Sequence, residues 1–202
     1  IDMGNLIKLR KEYKDQFEQM HGTKLGFMSL FIKASASTLM KIPAINAYID
    51  NKTNEIVYRD YVDISFAAAS SRGLVTPVIR NVESLTVSGI EEQFAELAGR
   101  AKNDTLTMDE MMGATFTISN GGVFGSMLGT PLIGSTEQAA ILGIHATKER
   151  PVVLANGEIA IRPMMYVALT YDHRLVDGRE AVTFLCSVRD QIEDPSRLFL
   201  EI

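Results

Sequence analysis

The sequence of 202 residues has little of what marks a disulfide-stabilised, membrane-spanning or nucleic-acid-binding protein. Its one cysteine, Cys186, excludes an intramolecular disulfide and fits a reducing compartment. No run of Lys and Arg occurs and the net charge is −5, which argues against nucleic acid as the main partner. The longest apolar run is far shorter than the roughly 20 residues of a membrane span, so no membrane partner is expected.

Hydrophobic residues make up 46% of the chain and charged residues 22%, which is typical of a globular protein with a large core. Apolar residues recur at helical spacing near both ends of the chain, and five or more segments with strand character lie between them. The order is not a repeated βαβ pattern. It therefore predicts an α+β domain with a mixed sheet packed against helices.

Residue patterns also predict the individual elements. Helices are predicted over residues 3–19, 26–41, 88–102 and 179–192, and strands over 45–50, 55–58, 62–68, 73–79, 114–119, 139–145, 152–154 and 159–170. Ser88 with Glu91 forms the pattern of a capping box, and Pro77 predicts an edge or a bulge for its strand. The apolar tail, residues 198–202, is expected to be buried, either within the chain or against a neighbouring subunit.

Residues 170–178 (Thr-Tyr-Asp-His-Arg-Leu-Val-Asp-Gly) join the last predicted strand to the last predicted helix. They contain one histidine, His173, between Asp172 and Asp177. A neutral imidazole can accept a proton near pH 7, so this turn is a candidate site of acid–base chemistry. The alternative is a surface turn with a solvated charge cluster, because polar turns are common.

Several kinds of site can be compared from the residues alone. The three histidines lie far apart and no paired His or Cys spacing occurs, so no metal is expected. The glycine-rich segment 120–126 lacks the lysine of a Walker motif. A hydrolase with Ser119, His173 and Asp177 is conceivable, but Ser119 lacks the Gly-x-Ser-x-Gly elbow. The remaining interpretation is acyl transfer between thiols, with His173 as general base and Ser119 as donor to the oxyanion.

Four segments, in this order, resemble those of the dihydrolipoyl acyltransferase components of the 2-oxo acid dehydrogenase complexes. They are residues 72–78 (Arg-Gly-Leu-Val-Thr-Pro-Val), 116–125 (Phe-Thr-Ile-Ser-Asn-Gly-Gly-Val-Phe-Gly), 171–180 (Tyr-Asp-His-Arg-Leu-Val-Asp-Gly-Arg-Glu) and 194–195 (Asp-Pro) with the Leu-rich ending. The His-x-x-x-Asp-Gly pattern is also shared with chloramphenicol acetyltransferase. Residues 25–29 and 121–126 are most similar to the succinyltransferase members, from 2-oxoglutarate dehydrogenase complexes.

The resemblance implies a chloramphenicol-acetyltransferase-like fold that forms trimers, and transfer of a succinyl group from dihydrolipoamide to coenzyme A. His173 would deprotonate the attacking thiol and Ser119 would hold the oxyanion. Asp177, at the position of a family aspartate often described as catalytic, would hold the turn and His173 through a salt bridge. Ser119 and His173 would come from different subunits. The residues implied to contact substrate in the channel are Asn120, Gly121, Gly122 and Arg72. For Arg72 and Arg80, which flank the strand at 73–79, surface charge is the simpler interpretation and contact with an anionic ligand the alternative.

The resemblance further implies that the trimers assemble into a hollow cube that works with a lipoyl domain and with the 2-oxoglutarate dehydrogenase and dihydrolipoyl dehydrogenase components. Coenzyme A would be a substrate, the lipoyl group would lie on a separate domain, and no metal is implied. Residues 1–202 would be an N-terminally truncated catalytic (inner core) domain without lipoyl or partner-binding domains, from a mitochondrial matrix or a bacterial cytoplasm. The alternatives are an acetyl- or branched-chain acyltransferase of a related complex, or an assembly scaffold without activity.

Two features depart from the family pattern. An upstream arginine that usually partners the Asp177 position is absent, and residues 134–138 (Gly-Ser-Thr-Glu-Gln) stand where the family usually has Asn-Pro-Pro-Gln. A loop that has lost two prolines is expected to differ in rigidity. Because succinate carries a second carboxylate, the acyl pocket is expected to contain a cation or several hydrogen-bond donors.

Overall fold

A computed structural model describes residues 1–71 and 73–200, and within these ranges it contains five α-helices and eleven strands. The helices are α1 (Gly4–His21), α2 (Met28–Lys41), α3 (Val87–Lys102), α4 (Gly178–Glu193) and α5 (Ser196–Leu200). The strands are β1 (Tyr48–Asp50), β2 (Glu55–Val57), β3 (Ile64–Phe66), β4 (Ala68–Ser70), β5 (Gly73–Val75), β6 (Val78–Ile79), β7 (Phe116–Asn120), β8 (Ala140–Ile144), β9 (Lys148–Val153), β10 (Ile159–Met164) and β11 (Val167–Tyr171). None of the helices in these ranges has the length and apolarity that crossing a membrane demands.

A mixed five-stranded sheet in the order β11-β8-β7-β3-β6 forms the centre of the fold. Strands β8, β7 and β3 run parallel to one another, whereas the outer strands β11 and β6 are antiparallel to their neighbours. The pairs β1–β2, β4–β5 and β9–β10 form separate antiparallel hairpins. The predicted α+β class with a mixed sheet is confirmed, as is the edge position of the strand that follows Pro77.

Side chains alternate along the central strands and divide the sheet into an apolar and a more polar face. On the apolar face, Phe116 of β7 packs against Phe184 of α4, with ring centroids 5.5 Å apart. Phe66 of β3 packs against Phe94 of α3 at 4.3 Å. Burial of each such side chain contributes roughly 1.5–3 kcal/mol, so the helices are held on this face. The next residues along the strands, Ser65 and Thr117 among them, point to the other face.

The predicted strand at 159–170 is wrong as a single element. The chain leaves one hairpin at Met164 and enters the central sheet at Val167. Between them the backbone pairs with the start of the chain: the Ile1 and Met165 backbones exchange two hydrogen bonds of 2.9 Å. This long-range pairing ends β10, so β10 and β11 belong to different sheets. The predicted strand at 73–79 is likewise divided, because Pro77 has no N–H to donate.

The predicted capping box of Ser88 and Glu91 is also wrong. The N-cap of α3 is Thr86, whose hydroxyl accepts from the Gly89 N–H at 3.2 Å. Glu91 instead turns inward, is 4% exposed, and accepts 2.5 Å hydrogen bonds from the Gly26 N–H and the Ser29 hydroxyl. Burial raises the pKa of this carboxyl, partly opposed by these two hydrogen bonds.

Two shorter predictions also need correction. Residues 45–46, predicted to begin a strand, lie in a 3-10 helix (Pro43–Asn46), because Pro43 suits the first helical position. Within the single chain the apolar tail is only partly buried: Leu198 is covered, but Phe199 is 64% exposed and Leu200 is 66% exposed. Its burial against a neighbouring subunit stays a prediction. Its last two residues lie outside the described residues.

Candidate active site

A cavity of about 610 Å³ opens on the more polar face of the central sheet. Ser65, Thr117, Ser119 and Ile141, which belong to β3, β7 and β8, form its floor. Two irregular segments, residues 111–114 and 131–138, contribute its walls. The cavity therefore combines a rigid floor with walls that must be held by side-chain contacts.

A row of hydrogen bonds organises the floor. Gln138 Nε2 donates to the Ala114 carbonyl at 2.9 Å, so its Oε1 is left to accept from the Thr117 hydroxyl at 2.7 Å. Thr117 has then used its only proton, and the 2.8 Å contact with Ser65 must be a donation from Ser65. All three side chains are buried. Prediction from sequence missed this row, although the alternation of apolar and hydroxyl side chains in Phe-Thr-Ile-Ser indicated a polar face.

Ser119 is the next residue beyond Thr117 on the same face of β7. Its hydroxyl lines the cavity and makes no hydrogen bond to any other residue in the described ranges. A hydroxyl on a fixed strand with its proton unused can donate to a developing oxyanion without first breaking another bond. This is the arrangement that the predicted role of Ser119 requires.

The cavity lining is nearly uncharged. Glu137 is its one ionisable side chain among the described lining residues, and several hydroxyls are present, including those of Thr76, Ser135 and Thr136. Of the two expected ways to receive a second carboxylate, the described lining therefore offers donors rather than a cation. The predicted channel residue Arg72 lies outside the described residues.

The turn that carries His173 is fixed by backbone hydrogen bonds at the end of β11. The Asp172 N–H donates to the Ala139 carbonyl at 2.7 Å, and the Leu175 N–H donates to the Asp172 carbonyl at 3.0 Å. Arg174 donates to both carboxylate oxygens of Asp172, and these bonds hold the pKa of Asp172 below its ordinary value. Both carboxylate oxygens of Asp172, the acid that precedes His173, are therefore bonded to Arg174.

Asp177 is the N-cap of α4. Its Oδ1 accepts from the Glu180 N–H at 2.8 Å, while the Glu180 carboxylate accepts from the Asp177 N–H at 3.0 Å. Such a cap stabilises a helix by roughly 1 kcal/mol. Asp177 thus holds the turn together with the helix that follows it. His173 stays exposed, with its ring 5.3 Å from the ring of Tyr171.

Ser119 and His173 do not meet within one chain. Ser119 is in register with Gly143 of β8, whereas Asp172 is bonded to Ala139. Four residue steps along a strand correspond to about 13 Å, and β8 lies between β7 and β11. His173 is not among the residues that line the cavity. A site that uses both residues must draw them from two subunits.

The segment after Ser119 is a 3-10 turn, Gly121–Phe124, capped by Asn120, whose Oδ1 accepts from the Gly122 N–H at 2.9 Å. A Cβ on Gly122 would lie 2.5 Å from the carbonyl carbon of His145, so only glycine fits there. Asn120, Gly121 and Gly122 are not part of the cavity lining. The close approach that these glycines permit is to the protein's own backbone, and substrate contact by the three residues stays a prediction.

His145 fixes the same segment from the other side. Its Nε2 accepts from the Gly129 N–H at 2.8 Å, so its proton is on Nδ1, which lies 3.0 Å from the Tyr166 carbonyl. The ring is buried and both nitrogens are used. His145 therefore has a structural role in this segment. Residues 1–71 and 73–200 contain no group of three or more His, Cys, Asp or Glu side chains placed to hold a metal ion.

Comparison with known proteins agrees with this architecture. The chain is 56% identical, over its whole length, to the dihydrolipoyllysine-residue succinyltransferase component of the mitochondrial 2-oxoglutarate dehydrogenase complex of Bos taurus. It spans 44% of that relative's length. Bacterial relatives carry the corresponding name.

Solved structures show the same fold. The cubic core of the pyruvate dehydrogenase multienzyme complex superposes with a TM-score of 0.92 at 32% identity, covering 98% of this chain and 80% of that chain. Chloramphenicol acetyltransferase matches with a TM-score of 0.55 at 18% identity, covering 89% and 82%, which confirms the predicted fold. The sequence profile described as 2-oxoacid dehydrogenases acyltransferase (catalytic domain) matches residues 1–200. The chain therefore belongs to the 2-oxoacid dehydrogenase acyltransferase family and contains its catalytic domain.

Proposed function

We propose that this chain transfers a succinyl group from S-succinyldihydrolipoamide to coenzyme A, as the acyltransferase of a 2-oxoglutarate dehydrogenase complex. The observation that carries the proposal is the Ser119 hydroxyl on the floor of the cavity, which has no hydrogen-bond partner among residues 1–71 and 73–200. The high identity to succinyltransferase components supports the acyl group.

The chemistry uses three residues of the chain in different roles. His173 takes the proton of the coenzyme A thiol, and the thiolate attacks the thioester carbonyl. Ser119 donates a hydrogen bond to the tetrahedral oxyanion that forms. The intermediate then expels the dihydrolipoamide thiolate, which receives the proton from His173. Asp177 holds the turn that carries His173, by capping α4.

We further propose a homotrimer that assembles into a cubic core. The separation of Ser119 from His173 supports a site shared between subunits, and the similarity to a cubic core supports the assembly. Several large apolar side chains next to Ser119 are exposed in the single chain, and a neighbouring subunit would cover them. These residues are Val123, Phe124, Met127 and Leu128.

The proposed reaction also requires partners. A lipoyl domain, separate from residues 1–202, would carry the acyl group to the cavity, and coenzyme A would be consumed as a substrate. The 2-oxoglutarate dehydrogenase and dihydrolipoyl dehydrogenase components would load and reoxidise the lipoyl group. We propose a mitochondrial matrix or a bacterial cytoplasm as the location, since relatives occur in mitochondria and in bacteria.

One observation favours a second candidate. The described cavity lining has no cation, so an uncharged acyl group would also fit, as in an acetyl- or branched-chain acyltransferase. A scaffold without activity is the remaining alternative. Competition between succinyl-, acetyl- and isobutyryl-dihydrolipoamide for coenzyme A distinguishes them.

In that competition we expect succinyl-coenzyme A to be the main product, formed at least about tenfold faster than either competitor, a difference of roughly 1.4 kcal/mol in transition-state binding. His173→Ala is the control and should abolish the transfer, while its thermal unfolding stays like that of the wild type. Preference for acetyl or isobutyryl would replace the acyl assignment. No transfer from any donor by an assembled protein would favour the scaffold.

A further inference from the structure

The cavity wall formed by residues 109–114 has little regular structure of its own. It consists of a 3-10 turn (Asp109–Met111) and a short link into β7, and it contributes Met111, Met112 and Gly113 to the lining. Such a segment keeps its position only if side chains from elsewhere hold its backbone. Gln138 holds its end at the Ala114 carbonyl, and a second group, next to the edge strand β6, holds the rest.

Arg80, which follows β6, holds this wall at two backbone carbonyls. Its Nη2 donates to the Asp109 carbonyl at 2.9 Å and to the Met112 carbonyl at 2.5 Å. Its Nη1 donates to Asp63 Oδ2 at 2.9 Å. Three of the guanidinium's five N–H groups are therefore committed to the protein, which disfavours the alternative that Arg80 awaits an anionic ligand.

Asp63 ties the guanidinium to the sheet. This carboxylate is buried, and its other oxygen accepts from the Asn81 N–H at 2.8 Å. The Asp63 carbonyl accepts from the Thr115 N–H at 2.7 Å, just before β7 begins. Arg80 is thus fixed relative to the strand that carries Ser119.

The wall is shaped around this guanidinium. Gly113 has a φ of +80°, and a Cβ there would lie 3.2 Å from Arg80 Nη1. Glycine thus accommodates both the left-handed backbone and the close cation. A lysine ammonium is a single point donor and cannot serve the Asp63 carboxylate and both carbonyls with the same geometry.

We propose that Arg80 is a positioning residue for acyl transfer: by holding the Asp109 and Met112 carbonyls, it sets the width of the cavity beside Ser119. The inference rests on the proposed function, because it treats the cavity as the substrate site. Arg80 itself does not line the cavity, so it acts through Met111 to Gly113. Its loss should weaken substrate binding more than the chemical step.

Arg80→Lys tests the proposal because it keeps a cation beside Asp63 but removes the hydrogen bonds to the Asp109 and Met112 carbonyls. We expect the KM for the acyl donor to rise about fivefold with kcat within about twofold, the pattern of lost binding without lost chemistry. Amide hydrogen exchange within residues 109–114 should become about tenfold faster. Arg80→Gln should show both changes to a larger extent.

Arg100→Lys is the matched control. Arg100 contacts the outer part of the same segment through the Glu110 carboxylate, and it also donates to the Thr105 carbonyl, which precedes the segment, at 3.0 Å. We expect this variant to leave the KM unchanged. An unchanged KM in a folded Arg80→Lys protein, or equal KM changes in both variants, would overturn the proposal.

Amide hydrogen exchange tests the positioning role of Arg80 independently of the proposed acyl transfer. If the wild type transfers no acyl group, the proposed function fails, while exchange still reports whether Arg80 holds the wall. If the wild type is active and exchange in residues 109–114 is the same in Arg80→Lys, the positioning role alone fails.

Discussion

At the scale of single residues, the buried Glu91 carboxyl makes the free energy of unfolding depend on pH. The carboxyl bridges α3 to the start of α2 through Gly26 and Ser29, with Arg10 as the nearby cation. Because its folded-state pKa is raised, its contribution is fully present below the unfolded value of about 4.5 and is lost as pH rises through the folded-state pKa.

We therefore predict that Glu91→Gln raises the free energy of unfolding at pH 7 by on the order of 1 kcal/mol. A neutral amide oxygen can accept the same two hydrogen bonds without the cost of burying a charge. The gain should shrink as the pH falls towards 4.5, and urea unfolding over this pH range measures it. Glu92→Gln, on the exposed side of the same helix, should show no such pH dependence. A Glu91→Gln protein that is less stable at every pH would contradict the prediction.

The same residue shows where prediction from sequence ended. Ser88 and Glu91 have the spacing of a capping box. The Glu91 carboxylate is instead placed by its hydrogen bonds to Gly26 and Ser29, which precede it in the chain by 65 and 62 positions. Asp177 was predicted to hold its turn through a salt bridge, whereas among the described residues it caps its own helix, a contact that depends only on local sequence. A sequence pattern therefore predicts the contact of a side chain only when its partner lies a few residues away in the chain.

At the scale of elements, the same reasoning explains which strands were predicted. The segments of β7 and β8 were both predicted as strands, and the structure buries all five residues of β8 and the first three of β7. The break between β10 and β11 depends on pairing with Ile1, more than 160 positions away, and no local pattern reports it. Ser119 was predicted as a site residue, whereas Gln138 became part of the cavity floor only through the order of the strands.

The 3-10 turn after Ser119 provides a test at this scale. Gly122→Ala would place a methyl group against the His145 backbone, which cannot move like a flexible side chain. We expect a loss of about 2 kcal/mol in the free energy of unfolding, together with reduced transfer, because the turn must shift next to Ser119.

Gly99→Ala is the matched control for this substitution. Gly99 lies on the exposed side of α3, and a Cβ there would meet nothing within 4 Å. Alanine in this helix should raise the stability by about 0.5–1 kcal/mol and leave transfer unchanged. A Gly122→Ala protein as stable and active as Gly99→Ala would show that the turn has more freedom than the structure indicates.

At the scale of the whole molecule, the separation of Ser119 from His173 makes the proposed site depend on the proposed trimer. If each site takes Ser119 from one subunit and His173 from the next, Ser119→Ala and His173→Ala damage different halves of it. Removing the oxyanion donor alone should lower kcat by about 100-fold or more. Each variant alone should therefore be nearly inactive, yet each still carries the half that the other lacks.

Refolding the two variants together in equal amounts gives the last prediction. In a cyclic trimer of randomly mixed subunits, about a quarter of the sites pair an intact Ser119 with an intact His173, so about a quarter of the wild-type activity should return. Mixing the folded variants should return less activity than refolding them together, because new trimers form only as subunits exchange. Ser119→Ala refolded with a Ser119→Ala, His173→Ala double variant should stay inactive. If both residues served a site within one chain, no mixture would regain activity, and the shared site would have to be abandoned.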